Sequence, residues 1–205
     1  PLNVSKQANG LQVGLINYAR EINGASFGLI SWYGNGRKNV DLRYSDGGFI
    51  DMGFTTGTHR LYNQLSVGYN PLTADYFKIG VAAGFVMDAR DRFKRVEAND
   101  LSITHEIAYY EYLTEDFDDR NEKQLSYRFL MSKLINEQMS IYFGPSFNLM
   151  YGIEDSSEDL LWYSPLSLTI RESKLDLWVG FNVGIRLFKQ EKLPLLGDQP
   201  FVTFD

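Results

Sequence analysis

The sequence contains no cysteine among its 205 residues. This absence excludes disulfide scaffolds, thiolate metal sites and cysteine nucleophiles. No apolar run approaches the ~18 residues that a transmembrane helix needs. Basic residues are in the minority, with 20 Lys and Arg against 26 Asp and Glu, so the net charge is −6. Because no basic face is available to release counterions from a phosphate backbone, we expect no nucleic-acid partner.

The chain is rich in apolar and aromatic residues, at 44% and 15% respectively. This composition excludes a disordered chain and is sufficient for one sizeable domain or a closed barrel. Aromatic residues form the interfacial girdles of membrane β-barrels, but they also fit the pleated surface of a soluble sheet. Composition therefore leaves a membrane barrel and a soluble β protein open.

Residues 178–188, WVGFNVGIRLF, alternate with a period of two. Such a period is typical of a β-strand with two unlike faces. A soluble sheet gives this pattern with a dry core face, and a membrane barrel gives it with the apolar face turned to lipid. The apolar face holds Val179, Phe181, Val183, Ile185 and Leu187, and the other holds Trp178, Gly180, Asn182, Gly184 and Arg186.

Similar alternation continues from residue 39 onward, and the whole chain is predicted to have about eleven or twelve strands and no convincing helix. Several segments run to ~12 residues or more, whereas soluble strands typically have ~5–6. Their polar faces are rich in Gly, Ser and Asn, which suits a narrow lumen, and their connections are mostly tight hairpins. We therefore predict an all-β protein, an antiparallel up-and-down transmembrane β-barrel of about 12 strands. A soluble β-sandwich or lipocalin-like barrel and a β-solenoid are the alternatives.

This interpretation assigns the strand faces. The side chains predicted to face lipid are Phe77, Ile79, Val81, Phe85, Ile141, Phe143, Phe147, Val179, Phe181, Val183 and Ile185. Those predicted to face the lumen are Asp41, Arg43, Lys78, Asp88, Arg128, Asn148, Asn182 and Arg186. Because the lumen charges have mixed signs, they indicate a salt-bridged filling rather than a selective pore.

The first 38 residues form a tandem repeat with a period of 14, in which residues 11–24 align with 25–38. The frame extends upstream, so the chain is expected to begin in the middle of a repeat. Each repeat resembles one strand followed by an Asn-Gly turn. We interpret these turns as hairpins, because Asn-Gly is a strong hairpin signal. One coil of a β-solenoid per repeat is the alternative.

Four stretches resemble bacterial outer-membrane proteins. Residues 142–152, YFGPSFNLMYG, and 178–188 resemble the late strands of small outer-membrane β-barrels, which commonly end in an aromatic residue such as Phe188. The units at 10–17 and 24–31 resemble the GLIN-type surface repeats of some bacterial outer-membrane proteins. The resemblance implies a barrel spanning residues 1–188, with repeats at 1–38, and a C-terminal tail at 189–205. It names no activity.

Few residues are candidates for chemistry. A lipid-cutting barrel enzyme would need a histidine beside a nucleophile, and only His59 and His105 are available. Acidic loops could bind calcium, and a basic loop could contact anionic headgroups, but solvated loops are the simpler interpretation. The acidic residues are Glu115, Asp116, Asp118, Asp119, Glu154, Asp155, Glu158 and Asp159, and the basic ones are Arg90, Arg92, Lys94 and Arg95.

The sequence therefore predicts a non-catalytic integral barrel of a bacterial outer membrane, as a mature or trimmed chain. Its role would be structural, partner-binding or that of a minor channel. No metal, phosphate-loop or dinucleotide motif is present, so we expect no cofactor. Membrane lipid is the expected partner, with other envelope proteins as further candidates. The alternatives are a lipid-modifying barrel enzyme and a soluble sandwich or solenoid that acts as a binding module.

Overall fold

The computed structural model describes residues 2–72, 77–89, 100–113, 119–153, 166–170 and 173–188. Within these ranges, no helix is long and apolar enough to cross a membrane. A single 3-10 turn, Asp46–Gly48, connects β4 to β5. The strands are β1 Leu2–Val13, β2 Ile16–Phe27, β3 Ile30–Tyr33, β4 Arg37–Ser45, β5 Phe49–Gly57, β6 Leu61–Tyr69, β7 Phe77–Asp88, β8 Leu101–Leu113, β9 Asp119–Asn136, β10 Met139–Ile153, β11 Leu166–Ile170 and β12 Ser173–Leu187.

Eight of these strands close into an antiparallel barrel. Strands β4 to β10 pair in chain order, and β12 pairs with β10 on one edge and with β4 on the other. The prediction of an all-β antiparallel barrel is confirmed, but its size of about twelve strands is wrong. Strands β1–β3 form a separate sheet, and β11 pairs only with the part of β12 that extends past β4. Alternation reveals strands, but it does not reveal which sheet each strand joins.

The register of the eight strands sets their tilt. Following paired residues round the ring from Asp41 leads to Asp176 on β12. Asp41 itself pairs with Arg186, ten residues further along β12 than Asp176. With ordinary strand spacing and rise, this stagger corresponds to a tilt of about 40° from the barrel axis. An eight-stranded barrel of that tilt has an interior just wide enough for side chains to fill.

The N-terminal repeats form a parallel β-solenoid rather than hairpins. Each residue of β1 pairs with the residue 14 positions later in β2, as in Leu2 with Ile16, and β2 pairs with β3 in the same way. One repeat is therefore one coil, and the hairpin interpretation is wrong. Gly10 and Gly24 have φ values of 93° and 152° and lie inside β1 and β2, so they bend the strand instead of reversing it. The barrel wall begins only at Arg37.

The solenoid has a small core of its own and is attached near the rim where β5 meets β6. Ala8, Ala19, Ile22 and Tyr33 are buried together inside its coils. The Tyr33 hydroxyl donates to Gln12 Oε1 at 2.8 Å, so one ring spans the stacked coils. Since the coils bury their own apolar residues, this element does not depend on the barrel lumen for its core.

Glycines on the inner face of the wall make room for tyrosine rings. A Cβ added at Gly84 would come within 2.2 Å of the Tyr62 ring, closer than any real Cβ contact. The lumen is therefore packed by pairing the smallest residue with one of the largest on neighbouring strands. Among the described residues, three such pairs occur: Gly80 with Tyr110, Gly84 with Tyr62 and Gly184 with Tyr142.

Replacing Gly84 with valine is expected to lower the free energy of unfolding by ~1–3 kcal/mol, because the Tyr62 ring has no free space to enter. Ala83→Val is the matched control, since Ala83 lies next to it on β7 and faces outward. Valine is favoured in strands, so the control should be neutral or slightly stabilising. Denaturant unfolding in detergent micelles measures both variants, and equal effects would contradict the packing argument.

Candidate functional site: the barrel lumen

The barrel has inverted polarity, with charges inside and apolar side chains outside. All eight side chains predicted to face the lumen, which include Arg43, Lys78, Arg128 and Arg186, are at most 3% exposed. Of those predicted to face lipid, Phe77, Phe85 and Ile185 are half-buried on the outer face, and the others are 40–65% exposed. The exposed ones are Ile79, Val81, Ile141, Phe143, Phe147, Val179, Phe181 and Val183.

Glu106 on β8 is the centre of the lumen network. Its carboxylate accepts hydrogen bonds from Arg128 Nη1 at 2.5 Å, Arg43 Nη1 at 3.2 Å and the Tyr62 hydroxyl at 2.5 Å. Arg43 and Arg128 also donate to the Tyr110 hydroxyl, at 3.0 and 2.6 Å. One acid and one phenol therefore hold two arginines that come from non-adjacent strands, β4 and β9.

Asp41 connects the first and last strands of the wall. Arg186 Nε on β12 donates to Asp41 Oδ1 at 2.6 Å, across the pairing of β12 with β4. The other oxygen of Asp41 accepts from Thr55 Oγ1 at 2.7 Å and from Gln64 Nε2 at 2.6 Å. Both carboxylate oxygens are thus used, so this ion pair is fully desolvated and fully hydrogen-bonded at the seam of the barrel.

The end of the lumen near the 3-10 turn is filled by two further acids. Asp51 Oδ1 lies 3.1 Å from Lys78 Nζ, and Lys78 also donates to Ser45 Oγ at 3.2 Å. Asp46, in the 3-10 turn, accepts hydrogen bonds from Trp178 Nε1 on β12 and, at 3.1 Å, from Asn148 Nδ2 on β10. The turn therefore contacts two strands of the wall at its own rim of the lumen.

The buried cations of the described lumen are all paired with acids. Four cations, Arg43, Lys78, Arg128 and Arg186, form ion pairs with three acids, Asp41, Asp51 and Glu106. Buried ions are tolerated only when they are paired and hydrogen-bonded, since an isolated charge pays a large desolvation penalty. This arrangement is a polar core rather than a water-filled passage.

Several members of the network were absent from the predicted set. Glu106 and Tyr110 lie on β8, a segment with mixed sides in which the sequence pattern is weak. Asp51 and Gln64 alternate correctly, but nothing in the sequence distinguishes them from solvated strand residues. These residues share an alternation with a period of two, on strands whose neighbours carry glycines on the lumen face. That signal can be used only when the order of the strands in the sheet is known.

Asn182, which was predicted to face the lumen, is 1% exposed, and its side-chain amide makes no hydrogen bond to the described residues.

The two histidines are separated and do not share a site. His105 Nδ1 lies 2.7 Å from the Tyr127 hydroxyl on the outer face, and its ring is 5.3 Å from that of Phe129. His59 is half-buried in the turn between β5 and β6, where its backbone carbonyl accepts from Arg37. Neither geometry presents a serine to the imidazole among the described residues around it.

The charged loops of the sequence analysis lie outside the described residues. These are Arg90, Arg92, Lys94, Arg95, Glu115, Asp116, Asp118, Glu154, Asp155, Glu158 and Asp159, together with the tail 189–205. Asp119 is the first residue of β9, and its side chain is not described. Within the described ranges, no group of three or more histidine, aspartate or glutamate side chains has the geometry to hold a metal ion.

A ladder of polar side chains joins the solenoid to the barrel. Asn3 Nδ2 donates to Asn17 Oδ1 at 2.7 Å, and Asn17 Nδ2 donates to Ser31 Oγ at 3.2 Å. Asn63 of β6 donates to the same Ser31 oxygen at 3.3 Å, and the Ser31 backbone N–H donates to Thr56 Oγ1 at 3.1 Å. The repeat position occupied by asparagine, asparagine and serine in successive coils therefore attaches the solenoid to the barrel wall.

No protein-family model matches the sequence, and no characterised protein shows significant similarity to it. A solved structure described as "De novo design of transmembrane beta-barrels" is similar in strand arrangement. It has 9% sequence identity and a TM-score of 0.39, over 73% of this chain and 91% of the other. The eight-stranded barrel of this chain is defined by its own strand pairing.

Replacing Glu106 with glutamine is expected to lower the free energy of unfolding by ~3–5 kcal/mol, because Arg43 and Arg128 would remain buried without their anion. Glu111→Gln is the matched control, since Glu111 lies on the outer face of the same strand and accepts a hydrogen bond from the exposed Tyr109 hydroxyl at 2.9 Å. The control should change stability by less than ~1 kcal/mol. Urea unfolding in detergent compares the two, and similar losses would show that the lumen network is not the source.

Proposed function

We propose that this chain is a closed, non-conducting β-barrel that spans a bacterial outer membrane and holds a β-solenoid at one rim. Its role is structural or partner-binding, without catalysis. The observation that carries the proposal is the inverted polarity, with a wall whose outward side chains are apolar and an interior of ion pairs. In water this arrangement would expose a large apolar band, whereas in a bilayer both faces are satisfied.

The dimensions of the wall support membrane residence. Strands β4, β5 and β6 have nine residues each, and at a tilt of about 40° they rise roughly 23 Å along the barrel axis. That height is close to the ~25 Å apolar band of outer-membrane barrels. Rings that suit an interface lie near the solenoid rim, where Trp32 is 6.3 Å from Phe54 and Lys38 Nζ lies over the Trp32 ring.

The filled lumen argues for an anchor rather than a channel. The interior side chains are hydrogen-bonded to each other across the ring, and the turn at Asp46 contacts β10 at one end. A lipid-modifying enzyme remains the second function class, but no described contact favours it, since the close partner of His105 is a tyrosine phenol. We also propose that the repeats lie on the surface and that the protein is bacterial.

Bilayer insertion can be tested with single-cysteine spin labels, because the natural chain has no cysteine. A label at Phe143, which is 50% exposed on the wall, should collide with dissolved oxygen more often than with a water-soluble nickel chelate. A label at Glu137, in the turn between β9 and β10, should show the reverse. Chelate access at Phe143 in reconstituted vesicles would rule out membrane residence.

Planar-bilayer recording tests the closed lumen. The natural chain should show no steady ion conductance, because the described lumen side chains are at most a few percent exposed. The variant Arg43→Ala/Tyr110→Ala removes two large side chains from the centre of the network and should conduct if it folds. A steady conductance of the natural chain would instead support the minor-channel role.

A further inference from the structure

The solenoid coils carry their charges at one end and an apolar corner at the other. Residues 13–16 and 27–30, VGLI and FGLI, form the apolar corner, where one coil passes into the next. Since a strand advances ~3.3 Å per residue, Glu21 lies roughly 20 Å from Leu15 along β2. Within residues 2–36, the charged residues are Lys6, Arg20 and Glu21, and all three are exposed.

Two aromatic rings lie between the apolar corner and the charged end. Tyr18 pairs with Trp32 of the neighbouring coil, and both side chains are exposed. The Trp32 ring is 6.3 Å from that of Phe54 on the wall, and Lys38 Nζ lies over it. Apolar side chains, then amphipathic rings, then charges is the order found across a membrane interface. The coil has this order along its own length.

The apolar corner lies beside the outer wall, below the rim to which the solenoid is attached. It faces Ala83 of β7 and Ile107 of β8 across a cleft. These two residues belong to the paired row that begins with Thr56 and Asn63. Because the strands tilt by about 40°, this row moves ~3 Å away from the rim per strand, so Ile107 lies roughly 9 Å deeper than Thr56. The corner is therefore level with the apolar band of the wall.

The two sides of this cleft do not cover each other. The cleft has a volume of about 750 Å³ and is lined mostly by apolar side chains. Leu29 on the solenoid side is 43% exposed, and Ile107 on the wall side is 58% exposed. In water such a gap would close or would leave apolar surface hydrated. In a bilayer, acyl chains would fill it and bury both sides.

The cleft continues into the outer surface of the wall. Val81 and Tyr109 line the cleft, and they also line a groove of about 550 Å³ on the outside of β5 to β8. Val81 is one of the side chains predicted to face lipid, and it is exposed. The apolar corner is thus a lateral extension of the apolar wall rather than a separate patch.

We propose that the apolar corner inserts into the lipid layer beside the barrel, and that the acyl chain of a membrane lipid occupies the cleft against β7 and β8. This inference rests on the membrane residence proposed above and assigns the solenoid to the membrane interface. Tyr18 and Trp32 then lie at the level of the headgroups, and Arg20 and Glu21 remain in water.

Spin-label accessibility tests the insertion in the full chain, reconstituted into phosphatidylcholine vesicles. The labelled variants are Leu29→Cys at the corner, Ala83→Cys inside the cleft and Glu21→Cys, the control at the charged end. We expect the ratio of oxygen to nickel-chelate collisions at Leu29 to exceed that at Glu21 by at least ~5-fold, because oxygen concentrates in hydrocarbon and the chelate stays in water. A label at Ala83 should collide often with oxygen, since an acyl chain surrounds it. Leu15→Cys provides a second corner position.

A reference label at Phe143→Cys separates this inference from the proposed function. Lipid exposure at Phe143, with chelate access at Leu29 equal to that at Glu21, would overturn the insertion and leave the membrane-spanning barrel intact. Few collisions with either reagent at Ala83 would reveal a closed protein contact and would overturn the acyl-chain occupant. Chelate access at Phe143 itself would contradict the proposed function, and this inference with it.

Discussion

The whole barrel depends on neutralising charge in a space that water cannot fill. Eight tilted strands close without a free edge, so the wall satisfies its own backbone but leaves a narrow interior. Arginines placed there must find anions within the ring. Glu106 and Asp41 supply them, and Asp41 does so at the seam where β12 meets β4. The interaction that satisfies the lumen also holds the first strand of the wall to the last.

The solenoid, like the barrel, pairs backbone N–H and carbonyl groups between neighbouring strands. Its parallel strands stack at a period of one repeat, and a column of amides joins them to hydroxyl groups near the barrel rim. The column ends at Thr56 and Asn63, two polar residues among the mostly apolar outward side chains of β5 and β6. Their burial, at 2% and 7%, follows from the solenoid that covers them. The two elements are thus matched residue by residue at their junction.

Much of the wall could be predicted from the sequence because every second side chain of a strand points to the same face and therefore to the same surroundings. The separation of Val179, Phe181 and Val183 from Asn182 and Arg186 indicates two unlike surroundings. A barrel with an apolar outer face and a polar lumen could therefore be predicted from the sequence. The lumen-facing positions on β4, β7 and β12 could be predicted in the same way. Strand β8 was harder, because histidine and tyrosine on its outer face resemble the polar residues inside, and Glu106 was missed.

The sequence by itself determined the strands, their faces and the 14-residue period. The tertiary structure alone decided the number of wall strands, the partners of each charge and the parallel stacking of the repeats. The physical reason is that alternation and Asn-Gly dipeptides are local, whereas closure and pairing depend on residues far apart in the chain. The dipeptide Asn23-Gly24 is compatible with a hairpin and with a bend. It forms a bend because it stacks on Asn9-Gly10 of the neighbouring coil. In residues 178–188, likewise, local alternation defined two faces, and only the pairing of β12 with β4 made it the strand that closes the barrel.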